Sequence, residues 1–509
     1  RLHIAENFEV PKCNFLALRP KPPAGAHFDN ANPNAFLRTT CIMTDSQATE
    51  QYGTWSREDV AAMIKAYDVR AVVGEAAGQL NEKFVAAVGA AFARLMREEG
   101  ATTVVVGHDM RDSSPALAKA FAEGINGQGL DTIGIGLCST DELYYASGIK
   151  DCPGAMFTAS HNPAKYNGIK LCRAGARPVG QDSGLQRISE ELVNGVPGFE
   201  GEVGKHSTED ALVGYAAFLK DLVELDIRPL TVAVDAGNGM GGLTVPAVFE
   251  GLPLQLHDLY FELDGNFPNH EANPLDPKNL VDLQKFTVEV GADLGIAFDG
   301  DADRCFIVDE NGEAVSPSTI CAMIAERYLE TNPGATIIHN LITSKSVPEL
   351  VKKHGGTPVR TRVGHSFIKA QMAESNAVFG GEHSAHYYFS DFFNADSGML
   401  AALHVLATLG GQDKPLSELK RAYELYQASG EINSEVADQA GRTEAVVEAF
   451  ADRTESVDRL DGVTIELEGG AWLNVRASNT EPLLRLNVEA PTNDEVDSIV
   501  AEALAVIRA

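Results

Sequence analysis

The chain runs to 509 residues, 44% apolar and 22% charged, with a formal net charge of −31. That length exceeds a single core and calls for three or four domains; the acidity argues against a nucleic-acid surface, and no stretch approaches the roughly 18 consecutive apolar residues of a membrane span. The seven cysteines are scattered with no C-x-x-C pair, which supports neither a disulfide framework nor a thiolate zinc site and fits small buried hydrophobes in a reducing cytoplasm.

Residues 1–42 carry five prolines, little periodicity and no apolar signal core. Met43 is the expected translation start, and residues 1–55 are read as an N-terminal extension outside the fold. After it, short β-branched runs alternate with helical patterns. Strands are expected at 103–106 (TVVV), 230–234 (LTVAV), 294–298 (LGIAF) and 336–339 (TIIH), each ending in a polar loop. Helices are expected at 114–125, 346–354 and 365–373. Strand, loop, helix, repeated, means α/β units whose loops gather at strand ends, where ligands bind. The chain then changes character: short alternating strands at 462–468, 472–476 and 483–488 lead into a helix at 494–508, a smaller α+β domain. The expected domains are 56–205, 206–312, 313–426 and 427–509.

Four loops carry chemistry. In Thr158-Ala159-Ser160-His161-Asn162-Pro163, followed by Tyr166-Asn167-Gly168-Ile169-Lys170, a serine flanked by small residues and stopped by proline presents its hydroxyl on a constrained turn. An ordinary capping turn is the bland alternative. Ser160 beside His161 does not make a hydrolase triad, since neighbouring side chains usually point apart and no G-x-S-x-G elbow surrounds them. In Asp299-Gly300-Asp301-Ala302-Asp303-Arg304, three alternating carboxylates after an apolar strand can converge on one hard cation. A calcium loop of the EF-hand type is excluded, although Glu310 sits at its twelfth position. Arg304 stands where the sixth position needs glycine, and the flanks are strand-like.

The third loop, Gly380-Gly381-Glu382-His383-Ser384-Ala385-His386, alternates Glu382, Ser384 and His386. On an extended segment these would share one face and suit the hydroxyls of a sugar. The fourth, Arg476-Ala477-Ser478-Asn479-Thr480-Glu481-Pro482, can wrap a phosphate with guanidinium, hydroxyl, amide and backbone donors. Polar edge-strand and turn residues are common, so neither is specific alone.

Together and in this order the loops resemble the α-D-phosphohexomutase family, most like its bacterial phosphomannomutase branch, from Ser56 to the C-terminus. Lesser features agree: Tyr67-Asp68-Val69-Arg70, Gly107-His108-Asp109-Met110-Arg111 and Gly364-His365-Ser366. The resemblance implies three related α/β domains and a smaller C-terminal α+β domain around a central cleft. It implies a phosphate carried on Ser160, given to a hexose monophosphate, and taken back from the other end of a bound hexose 1,6-bisphosphate. Mg²⁺ would be held by Asp299, Asp301, Asp303 and a phosphoserine oxygen, with Arg304 and Lys170 offsetting charge and Lys170 and His386 as acid–base candidates. Glu382, Ser384 and His386 would meet sugar hydroxyls. Arg476, Ser478, Asn479 and Thr480 would hold the non-reacting phosphate, while Tyr67, Arg70, His161 and His365 line the cleft.

The third loop is more like that of phosphomannomutases than the Glu-Glu-Ser-Ala-Gly of phosphoglucomutases or the Glu-Gln-Ser-Gly-His of the glucosamine branch. Mannose phosphate is therefore the expected substrate, with glucose phosphate the main alternative and His383 a contributor to the bias. Phosphoglucosamine mutase, phosphatase and non-catalytic sugar-phosphate binder are the lesser alternatives. Partners are small-molecule hexose phosphates, with neither nucleic acid nor membrane, and a cytoplasmic monomer or homodimer is expected.

Overall fold

The computed structural model describes residues 52–478 and 483–509, apart from the side chains of residues 365 and 366. The expectations for residues 1–51, including the start at Met43, lie outside the described residues. Among those described, no helix is long and apolar enough to cross a membrane.

Four sheets succeed one another along the chain. The first three repeat one connectivity. In the first, parallel strands Thr103–His108, Asp131–Leu137 and Gly154–Phe157 are followed by antiparallel Tyr166–Arg173. In the second, Leu230–Asp235, Leu254–Leu259 and Leu294–Phe298 precede antiparallel Cys305–Asp309. In the third, Thr336–Asn340, Thr357–Thr361 and Phe379–Gly381 precede antiparallel Tyr387–Phe389. Each time the first strand is central, the second lies on one side, the third on the other, and the fourth folds back on the third. The fourth sheet is wholly antiparallel, in the order Gln427–Glu435, Leu483–Ala490, Trp472–Ala477, Val463–Leu467, Thr454–Asp458.

The periodic segments read from the sequence form as expected. Val104 and Val105 are fully buried in a parallel strand, and residues 294–298 are buried throughout, as a strand covered on both faces requires. Several helices start on side-chain caps: Asn81 accepts from Phe84 N, Ser397 from Leu400 N and Thr492 from Glu495 N. The second and third sheets share one continuous apolar core, which also takes in Tyr144, Cys172 and Ala176 of the first unit. The fourth sheet packs its helices into a core of its own. The five described cysteines are free and buried.

Candidate active site

The repeated connectivity places the first three chemical loops at one topological position, the turn joining the third strand of each sheet to the antiparallel fourth. Two of these turns interlock. A Cβ on Gly300 would fall 2.4 Å from the Ser160 carbonyl oxygen, so only glycine lets the aspartate turn approach the serine turn this closely. The aspartate turn and the Glu382–His386 turn are joined in turn by a backbone bridge between Arg304 and His386.

Ser160 sits at φ 49°, a left-handed conformation a non-glycine residue keeps only when its surroundings hold it. Buried Arg111 supplies that hold, donating to the carbonyls of Ser160, Asn162, Pro163 and Tyr166 while paired with Asp109 at 3.1 Å. Arg70 adds bonds to Ala159 O and Asn162 Oδ1, so it shapes the serine turn. The Ser160 hydroxyl lies 2.8 Å from Asp299 Oδ2 and 3.1 Å from His161 Nδ1. The neighbouring side chains therefore meet, contrary to the sequence expectation, because the left-handed residue turns the serine back towards the histidine. Burial first, then Arg304 and Arg70, push the His161 pKa well below the ordinary value, so its ring is neutral.

Asp299, Asp301 and Asp303 are essentially inaccessible, and each offers a carboxylate oxygen within 4.8 Å of the others. Arg304 Nε reaches Asp299 at 2.8 Å. Lys170, inside strand Tyr166–Arg173, reaches Asp301 at 2.7 Å and Asp303 at 2.5 Å. Burial alone would lower the Lys170 pKa, but the two carboxylates outweigh it and hold the ammonium above its usual range. Burial lifts Asp299 to about 6 against the pull of Arg304. Among the described residues, Asp301 Oδ1 and Asp303 Oδ1 are buried without a hydrogen-bond partner. Buried carboxylate oxygens are rarely left so, and two of them converging from one turn fit a hard cation.

The alternation of Glu382, Ser384 and His386 predicts an extended segment, but the structure closes residues 382–386 into a tight turn, with Glu382 N bonded to His386 O and Ala385 at φ 66°. The three side chains still converge: Ser384 Oγ lies 3.0 Å from His386 Nδ1, and Glu382 Oε2 lies 3.6 Å from the same nitrogen. His386 Nε2 is 3.6 Å from Asp303 Oδ1, which brings this turn to the aspartates. Glu382 is buried and accepts from Asn340, Gly364 N and Tyr388. His383 turns away from this group, to Ser318 Oγ at 3.2 Å, where it lines a cavity of about 290 Å³ between the third and fourth sheets. Its side chain is therefore not part of the Glu382–Ser384–His386 group.

Tyr67 faces the third unit, its ring edge-on to Phe367 at 5.9 Å. His365 begins the helix His365–Ser375, and its side chain lies outside the described residues. Arg476 lies one residue before the end of strand Trp472–Ala477, 3.7 Å from Glu431, and its buried Nε has no hydrogen-bond partner among the described residues. Ser478 N bonds to Leu483 O, while Asn479 and Thr480 lie outside the described residues. Sequence patterns gave no sign of Thr140, whose hydroxyl is 2.5 Å from Asp301 Oδ2.

Four family models, described as phosphoglucomutase/phosphomannomutase domains I, II, III and the C-terminal domain, match residues 61–195, 214–312, 316–426 and 431–506. A curated phosphomannomutase of Escherichia coli K12 is 40% identical over 437 residues, covering 84% of this chain and 94% of the relative. A Xanthomonas campestris protein described as phosphohexose mutases is 39% identical over 430 residues, with the same coverage. Among solved structures, a phosphoglucomutase/phosphomannomutase family protein from Burkholderia thailandensis superposes with a TM-score of 0.80 at 29% identity, covering 89% of this chain and 98% of that one. With four consecutive domain matches along one fold, this chain belongs to the phosphoglucomutase/phosphomannomutase family.

Proposed function

We propose that the chain interconverts mannose 6-phosphate and mannose 1-phosphate, with Ser160 as the phosphoryl carrier. The observation that carries this is the meeting of the Ser160 hydroxyl with the buried aspartate turn of a different sheet, 2.8 Å from Asp299. A sugar-phosphate binder has no use for that arrangement. The phosphomannomutase activity of relatives near 40% identity supports the reaction class.

Asp299, Asp301 and Asp303 would hold Mg²⁺ beside a phosphorylated Ser160, where the cation neutralises charge on the transferring group. In the first half-reaction a sugar hydroxyl attacks the phosphorus, the Ser160 Oγ–P bond breaks, and Oγ becomes the leaving oxygen. The hydroxyl proton passes to a base and Oγ gains a proton. Lys170, held charged by two carboxylates, is suited to stabilise and protonate a leaving oxygen. His386, beside Asp303 and Ser384, is placed to accept the hydroxyl proton. The second half-reaction reverses these steps at the other end of a bound 1,6-bisphosphate. His161, neutral and against Oγ, orients the serine. Arg476 and the turn after it would hold the phosphate that does not react.

The turning away of His383 favours a second activity on glucose phosphate. Mannose and glucose differ only at the C2 hydroxyl, and one hydrogen bond there is worth roughly 0.5–1.5 kcal/mol. Efficiency with mannose 1-phosphate should then exceed that with glucose 1-phosphate by a factor on the order of ten. Assaying both sugars with a trace of hexose 1,6-bisphosphate and Mg²⁺ tests this. The isomer is the expected product; release of free phosphate would make the chain a phosphatase, and no product would make it a binder.

A further inference from the structure

We infer that Thr140 is a positioning residue for the cation site, reaching across from the first unit to fix which oxygen of Asp301 faces the metal. The inference rests on the proposed function above, in that it takes the aspartate turn to bind a divalent cation.

Thr140 opens the helix Thr140–Lys150, with Ser139 as its cap accepting from Glu142 N. It touches Asp301 twice. Its backbone N–H donates to the Asp301 carbonyl at 3.0 Å, and its hydroxyl donates to Asp301 Oδ2 at 2.5 Å. Lys170 donates to the same oxygen at 2.7 Å. Both donors thus occupy Oδ2, and Oδ1 is left buried with no hydrogen-bond partner among the described residues. A carboxylate held by one oxygen presents the other in a fixed direction, and partners that orient a metal ligand in this way commonly govern affinity tenfold or more.

Thr140 is itself well anchored. The next residue, Asp141, accepts from Tyr215 OH at 2.7 Å and from Ser397 Oγ at 2.6 Å, tying the helix start to the second and third units. The side chains of Thr140 and Asp141 are fully buried, so neither contact is a surface accident. The two donors also differ in kind. Lys170 is shared between Asp301 and Asp303, whereas the Thr140 hydroxyl serves Asp301 alone.

Replacing Thr140 by Val removes the hydroxyl at constant shape. Lys170 still satisfies Oδ2, so the metal-free protein should melt within a few degrees of wild type. The readout is binding of Mn²⁺ alone to the full chain, followed by electron paramagnetic resonance, with no substrate present. Thr140→Val and Thr140→Ala should each weaken Mn²⁺ binding about tenfold or more, and Thr140→Ser, which keeps the hydroxyl, should restore it. Wild-type affinity in the folded Val or Ala variant overturns the inference, as does a Ser variant as weak as Ala. Asp301→Asn separates this from the proposed function. If Asp301→Asn binds Mn²⁺ normally, the cation site itself is wrong; if it loses Mn²⁺ and Thr140→Val does not, only the positioning role fails.

Discussion

The junction of the serine and aspartate turns and the junction of the third and fourth sheets are built from opposite materials. At the first, Ser160, Asp299, Asp301 and Asp303 are at most 4% exposed, the aspartates are paired with Arg304 and Lys170, and Arg111 is paired with buried Asp109. At the second, Arg360 meets Asp458 and Lys345 meets Glu466 with side chains 25–41% exposed, and the fourth sheet keeps a core of its own. Breaking a buried pair strands an uncompensated charge and costs about 3–5 kcal/mol, whereas an exposed pair is worth about 0–1 kcal/mol. The junction of the serine and aspartate turns is therefore costly to distort. On the proposed reaction, the more exposed junction, cheap to move, would let the fourth unit, which carries Arg476, close over a bound sugar phosphate.

Arg111→Met should show the largest effect of breaking that contrast. It leaves Asp109 buried without its partner and four carbonyls of the serine turn without a donor, so unfolding in urea should reveal a loss of about 3–5 kcal/mol. A loss below about 1 kcal/mol would mean the serine turn holds itself. Arg360→Ala, which breaks the Asp458 pair and the bond to Thr464 at the other junction, should cost no more than about 1 kcal/mol, and less at high salt. A cost near that of Arg111→Met would erase the distinction between the two junctions.

The legible and illegible parts of the sequence divide along the same physical line. The aspartate turn could be read because its three carboxylates are neighbours in the chain and follow a strand whose burial shows in its composition. The repeated α/β units showed in alternating apolar runs, although their identical connectivity appears only in the sheet order. The role of Arg111 stayed hidden because its partners on the serine turn lie about fifty positions away, and Thr140 because its partner lies 161 positions away. An alternating polar pattern looks the same in a strand and in a tight turn, which is why residues 382–386 were expected to be extended. His383 differs from its neighbours only in the direction its side chain takes, and that direction follows from Ser318, a contact across 65 positions.

The account turns on Ser160 carrying the phosphate, and intact-mass and peptide mapping of the full chain after exposure to hexose 1,6-bisphosphate and Mg²⁺ tests that most directly. One phosphoryl group on Ser160 is predicted, lost on addition of mannose 1-phosphate as the bisphosphate forms. In Ser160→Ala both the modification and turnover should vanish while the melting temperature stays near wild type, since Arg304 still donates to Asp299 Oδ2 once the hydroxyl is gone. Full turnover by an enzyme that never carries phosphate at Ser160 would contradict the account.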